Sequence, residues 1–433
     1  MIDDNTWEQW QEDNIFTHKR IHRWMNTWEL TIKDQKQYGL ALLLRGISCL
    51  LMKQRIMITV DGEQIDPRIP LVFFSPSGTG KGMGVGFYMG IFKELDLKIT
   101  TLAKPTPEKL IGSFNDNIHN ENKKRGLKIG DEKYRSPIIH GYFELYDDII
   151  FDEAEPFFSK TEYGEDVLRK CRMVLDTYGS PNNLLKSETL KNQTGYEYHS
   201  KANIMFSSYH IESISKQILH NGIFQRCLCL FFHSSIDGID NLIGRKTATP
   251  ETVEQNKKTL VTELKKVKKF VDNLEQNIII NNEAMDYLVK NLQDKVKQLF
   301  EYGEDIGKTM QTFMPRLKIL IIKIATSLAV IKEKKIIGIV EMEEAVTFGM
   351  SIGFESLKRE IFVYGILGKQ QAQFYKDLKM NLGSSWRKKE EINQIMSVVW
   401  SVHRGITIQR LKELKGLFIV KGGDKNTQFY KLR

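Results

Sequence analysis

The stretch LVFFSPSGTGKGMG, residues 71–84, limits what this chain can fold into more than any other. Leu71 to Phe74 are four apolar residues that read as a buried strand. A glycine-rich loop follows, and Val85 to Leu95 resumes as a helix. Strand, glycine loop and helix, in that order, let backbone N–H groups converge on phosphate oxygens at a helix N-terminus. Gly78, Gly80 and Gly82 free the backbone to wrap that closely, with Ser77 and Thr79 completing the loop. Lys81 stands where an ammonium reaches β- and γ-phosphates. Two positions depart from the usual spacing. Ser75 replaces the leading glycine, and Gly82 replaces the Ser or Thr whose hydroxyl ligates Mg2+. A water can take that place, because Mg2+ keeps several waters of its own. The loop alone also fits a glycine-rich turn that binds nothing, so its partners decide.

A second apolar strand, Ile149 to Phe151, ends in Asp152 and Glu153. Phosphoryl transfer needs a metal clamp, a lysine and a base near the in-line water. Asp152 is placed to hold the metal through water, and Glu153 to orient and deprotonate the attacking water. Asp147, Asp148 and Glu155 read as structural or solvent-facing. A third strand, Ala202 to Phe206, ends in Ser207 and Ser208, hydroxyls suited to holding that water or simply to making a turn. A fourth, Cys227 to Phe232, follows Arg226. A guanidinium there suits charge on a γ-phosphate, in its own site or a neighbour's; the plainer alternative is a bridge to a local acid. Cys227 and Cys229 alternate as packing residues. Strands alternating with helices imply an α/β fold with a mainly parallel sheet covered on both faces.

The chain's 433 residues allow two or three domains, and its 41% hydrophobic and 27% charged composition is that of a globular protein. Lys323 and Thr326 interrupt the longest apolar run, Leu317 to Ile331, so no membrane span or membrane partner is expected. The N-terminus is acidic and aromatic, unlike a secretory or transit signal. Four cysteines without zinc-type spacing suit a reducing cytoplasm. Trp7, Trp10, Trp24 and Trp28 mark an amphipathic helical arm that packs on its own chain or docks on a neighbour. Gln37 to Arg55 reads as a buried helix. Thr252 to Leu274, Asn282 to Tyr302, Gln311 to Ile331 and Val340 to Arg359 read as further helices. The last fifty residues hold eleven of the Lys and Arg against four Asp and Glu. That excess suggests a polyanionic partner, although charge alone does not distinguish it from a solvated surface.

The order SPSGTGKG, IIFDE, FSS and GIFQR resembles the AAA+ core of replicative helicases carried by phages, plasmids and other mobile elements. These include superfamily-three-like and poxvirus-type primase-helicases and relatives of the minichromosome-maintenance helicases. TPEKLIGSF and VLDTYGSPNNLLKSETL are similar to that group as well, and the resemblance spans roughly Gln37 to Ser234. It implies an AAA+ P-loop NTPase core at 37–234, preceded by a helical arm at 1–36. A helical lid at 235–360 and a winged-helix domain at 361–433 would follow. It implies ATP and Mg2+ as cofactors, and a hexameric ring translocating on single-stranded or forked DNA in a bacterial or phage-infected cell. A primase, polymerase or origin-binding partner would complete the system. Under the resemblance Arg226 is a finger acting across subunits. FMPRLKILIIKIATSLAV is similar to the lid helix, which makes Arg316 a nucleotide-sensing arginine or an ordinary capping one. The alternative function is a helicase loader or origin-binding ATPase switch that does not unwind. A packaging motor shares the loop and acid pair, but the lid helices and the winged-helix tail count against it.

Between the acid pair and the serines, LKSETLKNQTGYEYHSKAN reads as strand, tight turn at Lys191 to Gly195, and strand. In helicases of the resembled kind a hairpin at this point projects into a central channel. Lys186, Lys191 and Lys201 offer charge to phosphates, and Tyr196 and Tyr198 offer stacking, unless this is a plain surface hairpin. Near the C-terminus, Ser385 to Val399 reads as a helix and Thr407 to Lys415 as a recognition helix. GLFIVKGGDKNTQFYKL reads as a wing. Arg404, Arg410, Lys412, Lys421 and Lys425 are its candidate phosphate contacts; such modules also dock proteins.

Overall fold

The computed structural model describes residues 16, 18–32, 36–75, 80–158, 162–186, 196–208, 222–231, 249–300, 311–354, 387–399, 418–421 and 429–432. It is a mixed α/β chain organised on a five-stranded sheet. The strands are β1 (Leu71–Phe74), β2 (Ile99–Leu102), β3 (Asp148–Phe151), β4 (Asn203–Ser208) and β5 (Leu228–Phe231). Their order is β5-β1-β4-β3-β2, and every neighbouring pair is parallel. β1, β3, β4 and β5 are buried at every residue, which is why β1 and β5 read as unbroken apolar runs and β3 and β4 have apolar centres, Ile149 to Phe151 and Ile204 to Phe206. β2 lies at the edge and is partly exposed.

Order matters here more than strand count. β4 lies between the strand that feeds the glycine loop and the strand that carries the acid pair. Its register sets Ser207 opposite Phe73 and Ser208 opposite Phe74, while Phe206 pairs with Phe151. The serine tip of β4 therefore separates loop from acids. The sheet is fixed below by a buried ion pair. Arg45 donates from Nε to Asp148 Oδ2 at 3.1 Å and from Nη1 to the Ile69 and Ile204 carbonyls at 2.9 and 2.7 Å. Its Nη2 and the Tyr88 hydroxyl also donate to Asp148.

Helix α1 (Lys19–Ile32) and helix α2 (Lys36–Lys53) pack together and against α3 (Lys81–Lys93), the helix after the loop. Trp24 and Trp28 are fully buried in their own chain. The Trp24 indole N–H donates to the Gly39 carbonyl at 2.8 Å. Trp28 meets Tyr38 and Phe87 edge-on. Gly84 admits this contact: a Cβ there would lie 2.8 Å from both Trp28 Cη2 and Tyr38 Cε1. Trp7 and Trp10 lie outside the described residues.

Helices α4 (Glu162–Leu175), α5 (Pro250–Asp272), α6 (Asn282–Phe300), α7 (Met314–Ile331) and α8 (Ile339–Phe348) complete the larger elements of the main body. The segment expected as a lid is interleaved with the segment expected as core. Ile278–Ile280 runs parallel to Ile58–Val60 and to Ile336–Ile337, and Glu63–Ile65 closes a four-stranded sheet. The residues that interrupt the apolar run of α7 are satisfied inside the protein. Lys323 donates to Asp66 Oδ1 at 3.3 Å, and Thr326 donates to the Ile322 carbonyl at 2.8 Å. Burial alone would raise the Asp66 carboxyl, but Arg68 and Lys323 outweigh it and hold the group well below the usual range. Among the described residues no helix is long and apolar enough to cross a membrane.

At the C-terminal end, Arg387–Lys388, Phe429–Leu432 and Phe418–Lys421 form a three-stranded antiparallel sheet in that order, with helix Lys389–Val399 beside it. Lys421 pairs with Phe429 in this sheet. Arg404, Arg410, Lys412 and Lys425 lie outside the described residues, as does the expected recognition helix.

Candidate active site

The carboxyl ends of β1, β3 and β4 meet at one edge of the sheet, the edge at which parallel α/β sheets bind ligands. From β1, the Ser75 amide donates to the Ser208 carbonyl at 3.1 Å, which carries the ladder one step beyond the strand. Ser77, Gly78 and Thr79 lie outside the described residues. Gly80 closes the loop in the left-handed conformation, φ 81°, and no side chain caps the helix behind it. α3 thus starts at Lys81, earlier than its apolar pattern suggests, and its first amides carry the positive end of the helix dipole.

Lys81 lies within electrostatic reach of the acid turn. Burial lowers the pKa of its ammonium, and Asp152, Glu155 and Glu153 pull in the opposite direction. The turn itself is tied down on both sides. The Asp152 amide donates to the Leu102 carbonyl at 2.9 Å and the Ala154 amide to the Ser207 carbonyl at 3.0 Å. Between them Glu153 is exposed and holds a left-handed backbone, φ 54°, with its amide on Asp152 Oδ1 at 3.1 Å. That conformation costs a non-glycine residue about 1–2 kcal/mol, offset here by the flanking ladder bonds.

Ser207 and Ser208 are fully buried, and neither hydroxyl has a hydrogen-bond partner among the described residues. A buried hydroxyl left unsatisfied costs about 1–3 kcal/mol. These orphaned groups lie at the tip of β4, where a polar ligand between loop and acids would satisfy them. Gly82, on the first turn of α3, faces open space: a Cβ added there meets nothing within 4 Å among the described residues. The missing hydroxyl is therefore a chemical vacancy that sterics do not impose. If Mg2+ is held here, Gly82→Ser will lower the Mg2+ concentration for half-maximal nucleotide turnover about tenfold, one ligand's worth of binding; a Mg2+ titration of turnover checks it.

Arg226 and Arg316 are elsewhere. Arg226 precedes β5, whose residues Leu228 to Phe231 pair with Leu71 to Phe74. It enters at the end of the sheet opposite the loop, and the paired strands alone separate the two ends by roughly 10 Å. There it bonds Asp176 and the Gly222 carbonyl. Arg316, expected beside the nucleotide, keeps company with Arg226 and Asp176, both of which act on its charge. Neither arginine joins Lys81 within one chain.

The expected hairpin has its two strands, Leu184–Lys186 and Glu197–His199, paired antiparallel. Its turn, with Lys191, lies outside the described residues. Lys186 is exposed and pairs across the strands with Glu197 at 2.6 Å. Tyr196 stacks on Tyr198 and donates its hydroxyl to Glu144 at 2.8 Å; Tyr198 donates to the Ile111 carbonyl at 3.1 Å. Both tyrosines thus brace the hairpin against a second one, Gly112–Phe114 with Ile138–His140. Lys201 sits near Lys53 and Arg55, and burial together with Arg55 lowers its pKa. Sequence reasoning does not find Asp176, Glu144 or Arg45, whose partners are remote in the chain. The chain matches no family model and no curated protein.

Proposed function

We propose that the protein is an ATPase whose nucleotide cycle drives translocation on single-stranded or forked DNA. The observation that carries this reading is the convergence of Lys81, the Asp152–Glu153 turn and the orphaned Ser207 and Ser208 hydroxyls at one sheet edge, with β4 inserted between loop and acids. The loop amides and Lys81 would hold the phosphates of ATP. Among the described residues no three His, Cys, Asp or Glu side chains gather into a metal cage. Mg2+ carried on a nucleotide needs only one or two carboxylates besides phosphate oxygens and water, and Asp152 is the carboxylate in reach. Glu153 takes the proton of the attacking water, and the β4 serines orient that water. Arg226, far from its own loop, supplies charge only to a second copy, which makes the working form a ring, in keeping with the hexamer that the resemblance implies.

The paired strands of the hairpin with Lys186 and Tyr196, and the basic C-terminal segment with Lys421 and Arg410, are the proposed DNA contacts. Four free cysteines, all buried, suit a reducing cytoplasm. A non-unwinding switch, a loader or origin-binding ATPase, is the second reading. Gly82 and the folded-back Arg226 favour it, since a lost metal ligand and a withheld arginine would each slow hydrolysis.

Lys81→Ala is the test. Removing the ammonium should cut turnover by about 10²-fold or more and abolish opening of forked DNA, as read by phosphate release and strand displacement. If calorimetry detects no adenine-nucleotide uptake by the wild type, with or without Mg2+, the reading fails. Uptake and hydrolysis without fork opening would leave the switch.

A further inference from the structure

Arg226 does not extend from its subunit. Its Nε and Nη2 donate to Asp176 Oδ1 at 3.1 and 2.8 Å, and Nη1 donates to the Gly222 carbonyl at 2.9 Å. Gly222 is left-handed, φ 86°, and a Cβ there would lie 2.6 Å from Arg226 Nη1. The guanidinium is therefore folded back over its own helical turn, with three of its five N–H groups engaged. Asp176 is anchored from behind, where Arg68 Nη2 donates to its carbonyl at 2.7 Å.

A second guanidinium, that of Arg316, stands beside the pair. Burial lowers the pKa of Arg316, Arg226 lowers it further, and Asp176 opposes them. The other buried carboxylate on this side, Asp66, is taken by Arg68 and Lys323. Among the described residues, Asp176 is the carboxylate that holds Arg226, against the repulsion of Arg316. Such a pair yields readily to a stronger anion, because the like charge of Arg316 lowers the cost of its departure.

We propose that Asp176 is an intramolecular latch, which keeps Arg226 folded back in the resting subunit and gives it up to the phosphates of a nucleotide held by a second copy of this chain. The inference rests on the nucleotide reading above. Side chains of Asp176 and Arg226 retain 15% and 14% of their exposure, so the pair is shielded from solvent yet reachable at the surface. A triphosphate offers more charge and more acceptor oxygens than one carboxylate. Until it arrives, the apparent affinity of one copy for another's loaded site is reduced by the fraction of time Arg226 is released. Isolated subunits consequently hold ATP without spending it.

Asp176→Asn tests the latch, since it keeps the shape and one acceptor but removes the charge. Turnover is measured against protein concentration, with calorimetric ATP binding alongside. The expected result is half-maximal turnover at about tenfold lower protein concentration, with ATP affinity unchanged. Asp176→Glu, which keeps the charge, should follow the wild type. Mixed with Arg226→Ala protein, Asp176→Asn protein should also raise turnover further than wild-type protein does. A structural pair predicts the reverse sign. A curve that stays put or moves to higher concentration, or a variant that melts below the assay temperature, overturns the latch. Absence of ATP uptake by the wild type is a separate failure, visible in the calorimeter; it removes the nucleotide reading and the latch with it.

Discussion

If the chain hydrolyses ATP as proposed, glutamine in place of Glu153 will leave ATP bound and slow its hydrolysis by about 10²–10⁴-fold, the contribution of a positioned general base. The carboxylate is exposed at the tip of β3, beside a lysine that its own charge influences. Glutamine is isosteric, pays the same backbone cost at φ 54° and leaves the Asp152 and Ala154 ladder bonds intact. Its amide, however, accepts no proton from water. Stability should therefore stay within about 0.5 kcal/mol of wild type, as for surface substitutions generally. Single-turnover phosphate release together with calorimetric ATP binding separates the two effects. Loss of binding along with turnover would show that Glu153 holds the ligand, and unchanged turnover would remove it from the chemistry.

The largest stability effect is expected from Asp148→Ala. Asp148 and Arg45 have no exposed surface, and the guanidinium bonds two carbonyls as well as the carboxylate. Removing the carboxylate strands a positive charge inside the protein, and such losses cost about 3–5 kcal/mol. The Tyr88 hydroxyl loses its acceptor in the same step, so α3, β3 and α2 are all untied at one point. Urea unfolding of the variant, compared with the wild type, reads this directly. Replacing Arg45 and Asp148 together with apolar residues of similar volume should recover most of the loss, because no buried charge then lacks a partner. A cost below about 1 kcal/mol for Asp148→Ala, typical of an exposed pair, would mean that water reaches the site.

These two residues also mark what can be read from a sequence and what cannot. Glu153 is legible because an apolar strand ends just before it and a glycine loop precedes it in the chain. Both are local patterns. The apolar stretches of β1, β3, β4 and β5 are legible for the same reason: strand segments buried on both faces read as continuous apolar runs. The start of α3 is hidden, because Lys81 and Gly82 carry no apolar signal and only the left-handed Gly80 marks the boundary. Asp148 is placed among structural or solvent-facing residues by its pattern, and it proves wholly interior. Its partner lies 103 residues away, beyond any periodicity. Asp176 stands 50 residues before Arg226, so a sequence shows the arginine and not what restrains it. The hairpin strands follow from alternation around a turn, whereas the use of the Tyr196 hydroxyl depends on Glu144, 52 residues earlier in the chain.

The small sheet assembled from Ile58–Val60, Ile278–Ile280 and Ile336–Ile337 has a mechanical meaning for the proposed cycle. Among the described residues, strands from before the glycine loop and from the later helical segment are laced side by side, which ties the two segments together. If the proposed cycle runs, work done at Lys81 would pass outward through this joint, and the stroke would be the turning of one copy against the next.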